Sequence, residues 1–248
     1  MRGIGLKDHT GETTGAASVL NDLFADEATE CYGTITLNPA NGGWNPWAVA
    51  PALRKGARIV WMGTYGTRRH REIWGRGPFD LPAGDVGVTL YADGGGLFPE
   101  VEELLERIRA FDAVLATGHL APEESIALFR RAKEMGIGRL MLTHASEEVT
   151  AMPVDQQREI VALGGWIEHC FMGVTEACPG HIPLEALAEQ ARAIGVEHVI
   201  LTSDFGQVGN GPIVPGFADY LGRLMALGFT QAEVRAMVVD HPAALMEG

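Results

Sequence analysis

The stretch HVILTSDFGQ, residues 198–207, decides the fold prediction because a continuous apolar run in it ends abruptly on a carboxylate. Such a run is typical of a strand that is covered on both faces of a parallel sheet. The carboxylate of Asp204 at its end requires a cation, a proton or several hydrogen bonds. Asp204 is therefore either the N-cap of the next segment or a metal ligand and catalytic base. The rest of the sequence bears on this choice.

Six other short apolar runs precede this one, and they alternate with amphipathic segments. The seven runs are residues 2–7, 33–37, 58–62, 113–117, 139–143, 166–170 and 198–203. Helical patterns occupy residues 99–111, 121–136, 183–195, 217–228 and 230–239. Alternation of strands and helices predicts right-handed crossovers and a parallel α/β sheet.

The number of apolar runs limits the possible architectures. A closed (β/α)8 TIM barrel requires eight strands, and seven runs are visible, with the chain beginning almost inside the first. We therefore predict a TIM-barrel-like domain, residues 1–248, with a missing or incomplete first strand. An open doubly wound sheet is the alternative. Residues 86–97, with ADGGG as the turn, predict a β-hairpin inserted between the third and fourth runs.

Composition excludes several classes of partner. The net charge of −13 and the lack of an extended basic patch argue against nucleic acid and anionic membranes, which leaves a small-molecule substrate. Cys31, Cys170 and Cys178 show no CxxC spacing, which argues against disulfides and against a thiolate zinc site. Without a signal peptide or an apolar run of about 20 residues, we expect a cytoplasmic protein.

Ionisable residues follow the ends of the apolar runs. Lys7 and His9 follow the first run, His119 and His144 follow the fourth and fifth, and Asp204 follows the last. The carboxyl ends of parallel strands share one face, so distant residues converge there. Two imidazoles and a carboxylate are a donor set that binds divalent metals. We predict that His119, His144 and Asp204 form one metal site, with Lys7 and His9 close to it.

Other residues are candidates for contact with substrate. Neighbours in a strand alternate, and we expect His169 to point into the site and Glu168 away from it. Asn38 belongs to the Asn- and Trp-rich stretch 37–49, and Gln207 follows Asp204 in the same turn. Arg68 lies in the aperiodic stretch 63–82, a predicted loop of the kind that forms a lid, and could bind a carboxylate or phosphate. We expect His70 in that loop to be solvated.

The sequence resembles the amidohydrolase superfamily of metal-dependent barrel hydrolases, and within it a poorly characterised branch. The resemblance rests on His119 in ATGH, His144 in LTHAS and Asp204 in SDFGQ, which follow the order of the family's fifth, sixth and eighth strands. It extends over nearly the whole chain. The family's His-x-His pair on the first strand is absent, and no lysine follows the run 58–62, where the family's bridging lysine stands. Lys7, carbamylated or not, is a candidate replacement.

The resemblance implies a metal-dependent hydrolase that uses zinc or manganese. A metal-activated water would attack an amide, ester, lactone or phosphoester, with Asp204 as the general base. The alternatives are a metal-dependent decarboxylase on the same fold and a non-catalytic scaffold that has lost the metal site. A phosphoesterase with a trinuclear site ranks last because it requires more ligands at strand ends. An exposed edge left by a missing strand favours a homo-oligomer.

Overall fold

The strands of the protein form two parallel sheets. The computed structural model describes residues 3–75, 86–207 and 209–247. The strands are β1 (Gly3–Gly5), β2 (Glu30–Tyr32), β3 (Thr34–Thr36), β4 (Ile59–Trp61), β5 (Val114–Ala116), β6 (Leu140–Leu142), β7 (Gly165–Cys170) and β8 (Val199–Thr202). β1 pairs with β2, and β3 to β8 form a six-stranded sheet in sequence order. The predicted parallel α/β architecture is therefore confirmed.

Ten α-helices connect and cover these strands in the described part of the chain. They are α1 (Thr14–Leu23), α2 (Pro46–Arg54), α3 (Arg68–Trp74), α4 (Pro99–Ala110), α5 (Pro122–Glu134), α6 (Val154–Ala162), α7 (Leu184–Ile194), α8 (Ile213–Ala226), α9 (Gln231–Arg235) and α10 (His241–Glu247). A π-helical segment, Ala236–Asp240, joins α9 to α10. None of the described helices combines the length and the apolar composition required to cross a membrane.

All seven apolar runs contain strands, and in the six runs of the larger sheet nearly every strand residue is buried, as expected for strands covered on both faces. One of the eight strands, β2, was not predicted. Only Gly33 separates it from β3, and a Cβ at Gly33 would lie 2.5 Å from the Cα of Thr14 in α1. Within the described residues the two sheets stay separate, so closure into a complete barrel is not shown and remains a prediction.

The two faces of the six-stranded sheet carry different apolar clusters. The cluster between the sheet and the helices contains Val60, Leu115 and Leu142. The opposite face carries Ile59, Trp61 and other side chains, and Leu245 of α10 packs against them. The Arg139 guanidinium, just before β6, donates a hydrogen bond to the carbonyl of Leu245 at 2.8 Å. Helix α10 therefore packs against the second face of the sheet near the amino-terminal ends of the strands.

Two predicted irregular segments differ from the expectation. The stretch 63–82, predicted as a loop, contains α3, and residues 76–85 lie outside the described residues. In the predicted hairpin 86–97, the described residues show one antiparallel bridge, between Tyr91 and Leu97, instead of two strands. The insertion is thus a short closed turn.

Candidate metal centre

His144 lies at the centre of the polar cluster at the carboxyl ends of the strands. It follows β6, and its side chain is 2% exposed. Nδ1 of its ring faces Cys170 Sγ at 3.1 Å, Glu147 Oε1 at 3.7 Å and Glu168 Oε2 at 3.7 Å. Three potential metal ligands from β7 and the turn after β6 therefore surround one nitrogen of this imidazole.

The other ring nitrogen of His144 faces Asp204 and Lys7. Nε2 lies 3.5 Å from Asp204 Oδ2 and 3.4 Å from the ammonium of Lys7. The Lys7 ammonium is also 3.8 Å from Asp204 Oδ1. The Lys7 and Asp204 side chains are 14% and 21% exposed, so this side of the imidazole is the more open one.

His144 and Asp204 both have left-handed backbone conformations. Their φ angles are +52° and +41°. This region is uncommon for residues other than glycine, although His and Asp enter it more readily than most, and it costs on the order of 1–3 kcal/mol per residue. Such conformations cluster at functional sites, where the surrounding structure maintains them.

His119 lies beside His144 and is held by His70. The two rings of His119 and His144 have centroids 5.3 Å apart. Gly118 positions His119, since its φ is +60° and a Cβ there would lie 2.4 Å from the carbonyl oxygens of Met62 and Gly63. Nδ1 of His119 shares a 2.8 Å hydrogen bond with Nδ1 of His70.

The prediction for His70 is wrong. The His70 side chain is buried and its ring stacks on His119 with centroids 5.1 Å apart. The reason is α3, which places His70 and Trp74 against His119. No apolar periodicity marks this seven-residue helix, so the burial of His70 could not be predicted from the local pattern.

The alternation of side chains in β7 is the reverse of the expected one. Glu168 faces His144, and its other carboxylate oxygen accepts a 2.9 Å hydrogen bond from Thr202 Oγ1. His169 is fully buried on the other face of the strand, where Nδ1 lies 2.9 Å from Ser146 Oγ. Both neighbours in this strand are polar, so the sequence does not fix which of them faces the site.

A network of hydrogen bonds just after β4 joins Asn38 to His9. The amide nitrogen of Asn38 donates to the carbonyl of His9 and to Thr64 Oγ1, and its oxygen accepts from the backbone of Thr64 and Gly66. Every polar atom of this buried amide is therefore used within the protein. The His9 ring bonds to Thr64 Oγ1 at 2.9 Å and lies on Tyr65, with centroids 4.1 Å apart.

Arg68 and Gln207 are exposed and lie outside the cluster. Arg68 begins α3, and Gln207 accepts a 2.7 Å hydrogen bond from the Asn210 amide. In the described part of the chain no hydrogen bond or ion pair joins either side chain to His119, His144 or Asp204. Their contact with substrate remains a prediction.

Burial keeps the imidazoles of the cluster neutral. It lowers the pKa of His144 to about 3 and that of His9 and His70 to about 4, and it holds the pKa of His119 well below its usual value. In His9 the charge of Lys7 lowers the pKa further. Metal ligation requires a neutral imidazole with a free lone pair, so these histidines are in the required state.

The carboxyl groups of the cluster differ in protonation. Burial raises the pKa of Glu147 well above its usual value and also raises the pKa of Glu168. Burial acts in the same direction on Asp204, but Lys7, His144 and His9 outweigh it and the pKa of Asp204 is lowered. Asp204 is therefore the carboxylate that stays ionised at neutral pH.

Two groups of side chains could hold a metal ion, and both include His144. One is His144, Glu147 and Asp204, and the other is His144, Glu168 and Cys170, with the ligand atoms in each group within 4.8 Å of one another. Glu147 Oε1 is a buried atom without a hydrogen-bond partner among the described residues. A cation would satisfy it, so the donor set fits a divalent metal. The sequence prediction missed Glu147, Glu168 and Cys170.

Comparison with solved structures shows the fold that this chain shares. An amidohydrolase from Pseudomonas aeruginosa superposes with a TM-score of 0.62 at 12% identity over 99% of this chain and 78% of the other. A protein assigned as 2-pyrone-4,6-dicarboxylic acid hydrolase from Pseudomonas putida gives 0.55 at 15% identity, over 95% and 77%. A triple mutant of organophosphorus hydrolase from Deinococcus radiodurans gives 0.56 at 14% identity, over 92% and 74%. The chain thus has the α/β fold of amidohydrolase-like proteins.

Sequence comparison gives the family. No curated protein matches the chain. Residues 1–168, more than half of the chain, match the model of the family of unknown function DUF6282. The protein belongs to the DUF6282 family.

Proposed function

We propose that this protein is a metal-dependent hydrolase of the amidohydrolase superfamily that acts on a small molecule. The observation that carries the proposal is the position of His144, Glu147 and Asp204, whose ligand atoms lie within 4.8 Å of one another beyond the carboxyl ends of the parallel strands β6 and β8. Active sites of parallel barrels form at this end of the strands. The structural neighbours, which share the fold, are named as hydrolases.

His144, Glu147 and Asp204 would hold the metal, and His119 would lie beside it. A divalent ion bound there would lower the pKa of its water to near neutrality and would polarise the bond to be cleaved. The residues offer neutral imidazole and carboxylate oxygen, which are ligands that zinc and manganese accept. The identity of the metal is part of the proposal.

Asp204 is the proposed general base. Its carboxylate is ionised because Lys7, His144 and His9 lower its pKa, and it is partly exposed. It can take the proton of the attacking water and return it to the leaving group. The ammonium of Lys7, 3.8 Å from the carboxylate, keeps Asp204 ionised and faces the same space. Lys7 can therefore also contact a negatively charged oxygen of the substrate.

The proposed substrate is an amide, ester, lactone or phosphoester. The test compares the rates at which the wild type and Asp204→Asn hydrolyse a panel of these four bond types. The matched control is Asp112→Asn, since Asp112 also has a left-handed backbone (φ +50°) and pairs with an arginine, at 2.7 Å from Arg139. We expect Asp204→Asn to lose about 10²- to 10⁴-fold in kcat, the usual size of a general-base contribution. Asp112→Asn is expected to keep its activity. Unchanged turnover in Asp204→Asn would refute the role of Asp204.

One observation favours a second candidate, a non-catalytic scaffold. The Lys7 ammonium already lies next to both His144 Nε2 and Asp204 and partly neutralises that side of the cluster. A protein stabilised in this way does not require an ion next to Asp204. A wild-type protein that hydrolyses no member of the panel after addition of zinc or manganese would support the scaffold.

A further inference from the structure

The ring of His144 has a second, more deeply buried side, and of the side chains on that side the proposed hydrolytic site uses only Glu147. Nδ1 points away from Lys7 and Asp204 and towards Cys170, Glu168 and Glu147. These three side chains have at most 7% of their surface exposed. The ligand atoms of His144, Glu168 and Cys170 lie within 4.8 Å of one another in a volume largely closed to solvent, and Glu147 faces the same ring nitrogen.

The distances from His144 Nδ1 to its neighbouring donors are close to those between ligand atoms in a tetrahedral metal site. Bonds of about 2.0 Å to nitrogen or oxygen and about 2.3 Å to sulfur place tetrahedral ligand atoms roughly 3.3–3.8 Å apart. The distances from His144 Nδ1 are 3.1 Å to Cys170 Sγ and 3.7 Å to each of Glu147 Oε1 and Glu168 Oε2.

The atom Glu147 Oε1 provides an independent indication of a ligand. It is buried, and it has no hydrogen-bond partner among the described residues, although it lies 3.7 Å from an imidazole nitrogen. A buried carboxyl oxygen without a partner is costly unless a proton or a cation satisfies it. Lys7, the nearby cation, hydrogen-bonds the opposite nitrogen of the ring.

We propose that His144 Nδ1, Cys170 and Glu168 bind a thiophilic divalent cation of the zinc class beside Glu147. Binding forms a sulfur–metal bond and releases the thiol proton of Cys170 to solvent. A thiolate ligand selects zinc, cobalt(II) or cadmium over magnesium and manganese. The proposal does not depend on hydrolysis, because Cys170 and Glu168 take no part in the proposed hydrolytic site.

The proposed ion would stabilise the conformation on which the open face depends. It would join β7 to the turn after β6 and hold His144 in its left-handed conformation. The spacing of the cysteines in the sequence argued against a thiolate zinc site, because it contains no CxxC motif. The site assembles one cysteine with ligands that are distant in sequence, and no spacing rule detects that arrangement.

The test is titration of the full chain with cobalt(II), followed by absorption spectroscopy. A cobalt–thiolate bond gives an intense charge-transfer band in the near ultraviolet. We expect this band at one equivalent in the wild type, its loss in Cys170→Ser, and its retention in the matched control Cys178→Ser. Cys178 is also a buried free cysteine, but its thiol contacts only the carbonyl of Pro179 in the described structure.

A second measurement does not depend on whether the variants fold. X-ray absorption of the zinc-loaded wild type is expected to show one sulfur ligand per zinc. Bound metal without sulfur, or a cobalt band that survives Cys170→Ser, would overturn the proposal. Asp204→Asn separates this result from the proposed function: a retained band with lost hydrolysis supports both, and a retained band with unchanged hydrolysis refutes only the role of Asp204.

Discussion

The six-stranded sheet and the β1–β2 pair supply different parts of the same cluster. In β3 to β6 every strand residue is buried, whereas no residue of β1 or β2 is, and Ile4 in β1 is 42% exposed. The sheet contributes the metal-binding candidates His119, His144 and Asp204. The pair is followed by Lys7 and His9, which reach the cluster from its edge.

The difference shows how a buried polar cluster is kept in place. A tightly packed sheet can hold two residues in strained left-handed conformations, because many contacts maintain them. The exposed pair is followed by a cation, Lys7, whose ammonium contacts His144 Nε2 at 3.4 Å and Asp204 at 3.8 Å. We therefore expect changes in the sheet to affect folding and changes near the pair to affect mainly the charge of the site.

The largest difference in stability is expected between Leu142→Ala and Ile4→Ala. Leu142 is fully buried in β6, directly before the turn that carries His144, so its truncation should lower the free energy of unfolding by about 2–5 kcal/mol. Ile4→Ala in the exposed edge strand should cost less than about 1 kcal/mol. Denaturation by urea measures both. Equal losses would show that the two regions are packed alike.

The next effect is the dependence of stability on pH through His169. Burial lowers its pKa from 6.5 to about 4, so between these values the unfolded chain binds a proton that the folded chain does not. Stability from this residue is present above pH 6.5 and is lost as pH falls towards 4, by about 3 kcal/mol. His169→Gln, which can still bond to Ser146, should remove this part of the slope. An unchanged slope between pH 4 and 6.5 would contradict it.

A smaller effect is expected for Lys7→Met. The substitution leaves Asp204 without its ammonium partner, and because both groups are partly exposed the loss should be about 1–2 kcal/mol at pH 7. The lowered pKa of Asp204 stabilises the folded state above the pKa that this residue has in the unfolded chain, and this stabilisation is lost as pH falls. Because Lys7 contributes to the lowering, Lys7→Met should lose less stability on acidification than the wild type. Lys55→Met is the control, since its pair with Glu12 is exposed, and its cost should stay below about 0.5 kcal/mol. Equal costs for the two variants would contradict the proposed interaction.

Most of the fold could be predicted from the sequence because the strands are short and apolar on both faces. Each apolar run identified a strand, and the patterns at 99–111, 121–136 and 183–195 identified α4, α5 and α7, whereas α6 was not predicted. β2 could not be predicted, because Glu30–Tyr32 is neither apolar nor alternating and pairs only through β1. Closure of the barrel depends on contacts between distant edges, on which local patterns give no information.

The position of the site could be predicted, but not all of its members. His119, His144 and Asp204 follow strands directly, and the topology brings them together. Glu147 lies in a turn, Glu168 and Cys170 lie inside a strand, and His70 is buried by a helix without an apolar face. Their proximity to His144 or His119 depends on packing and on which face of β7 each side chain occupies, and only the structure shows both.

Metal content tests the central claim, that this cluster binds a divalent ion, most directly. The ions bound per chain are measured in the wild type and in His144→Asn after equilibration with zinc and removal of the excess. Asparagine tolerates the left-handed conformation of His144, so the backbone preference is preserved. We predict at least one tightly bound ion per wild-type chain and its loss in a folded His144→Asn variant. A wild type without metal, or equal metal in both proteins, would contradict the account.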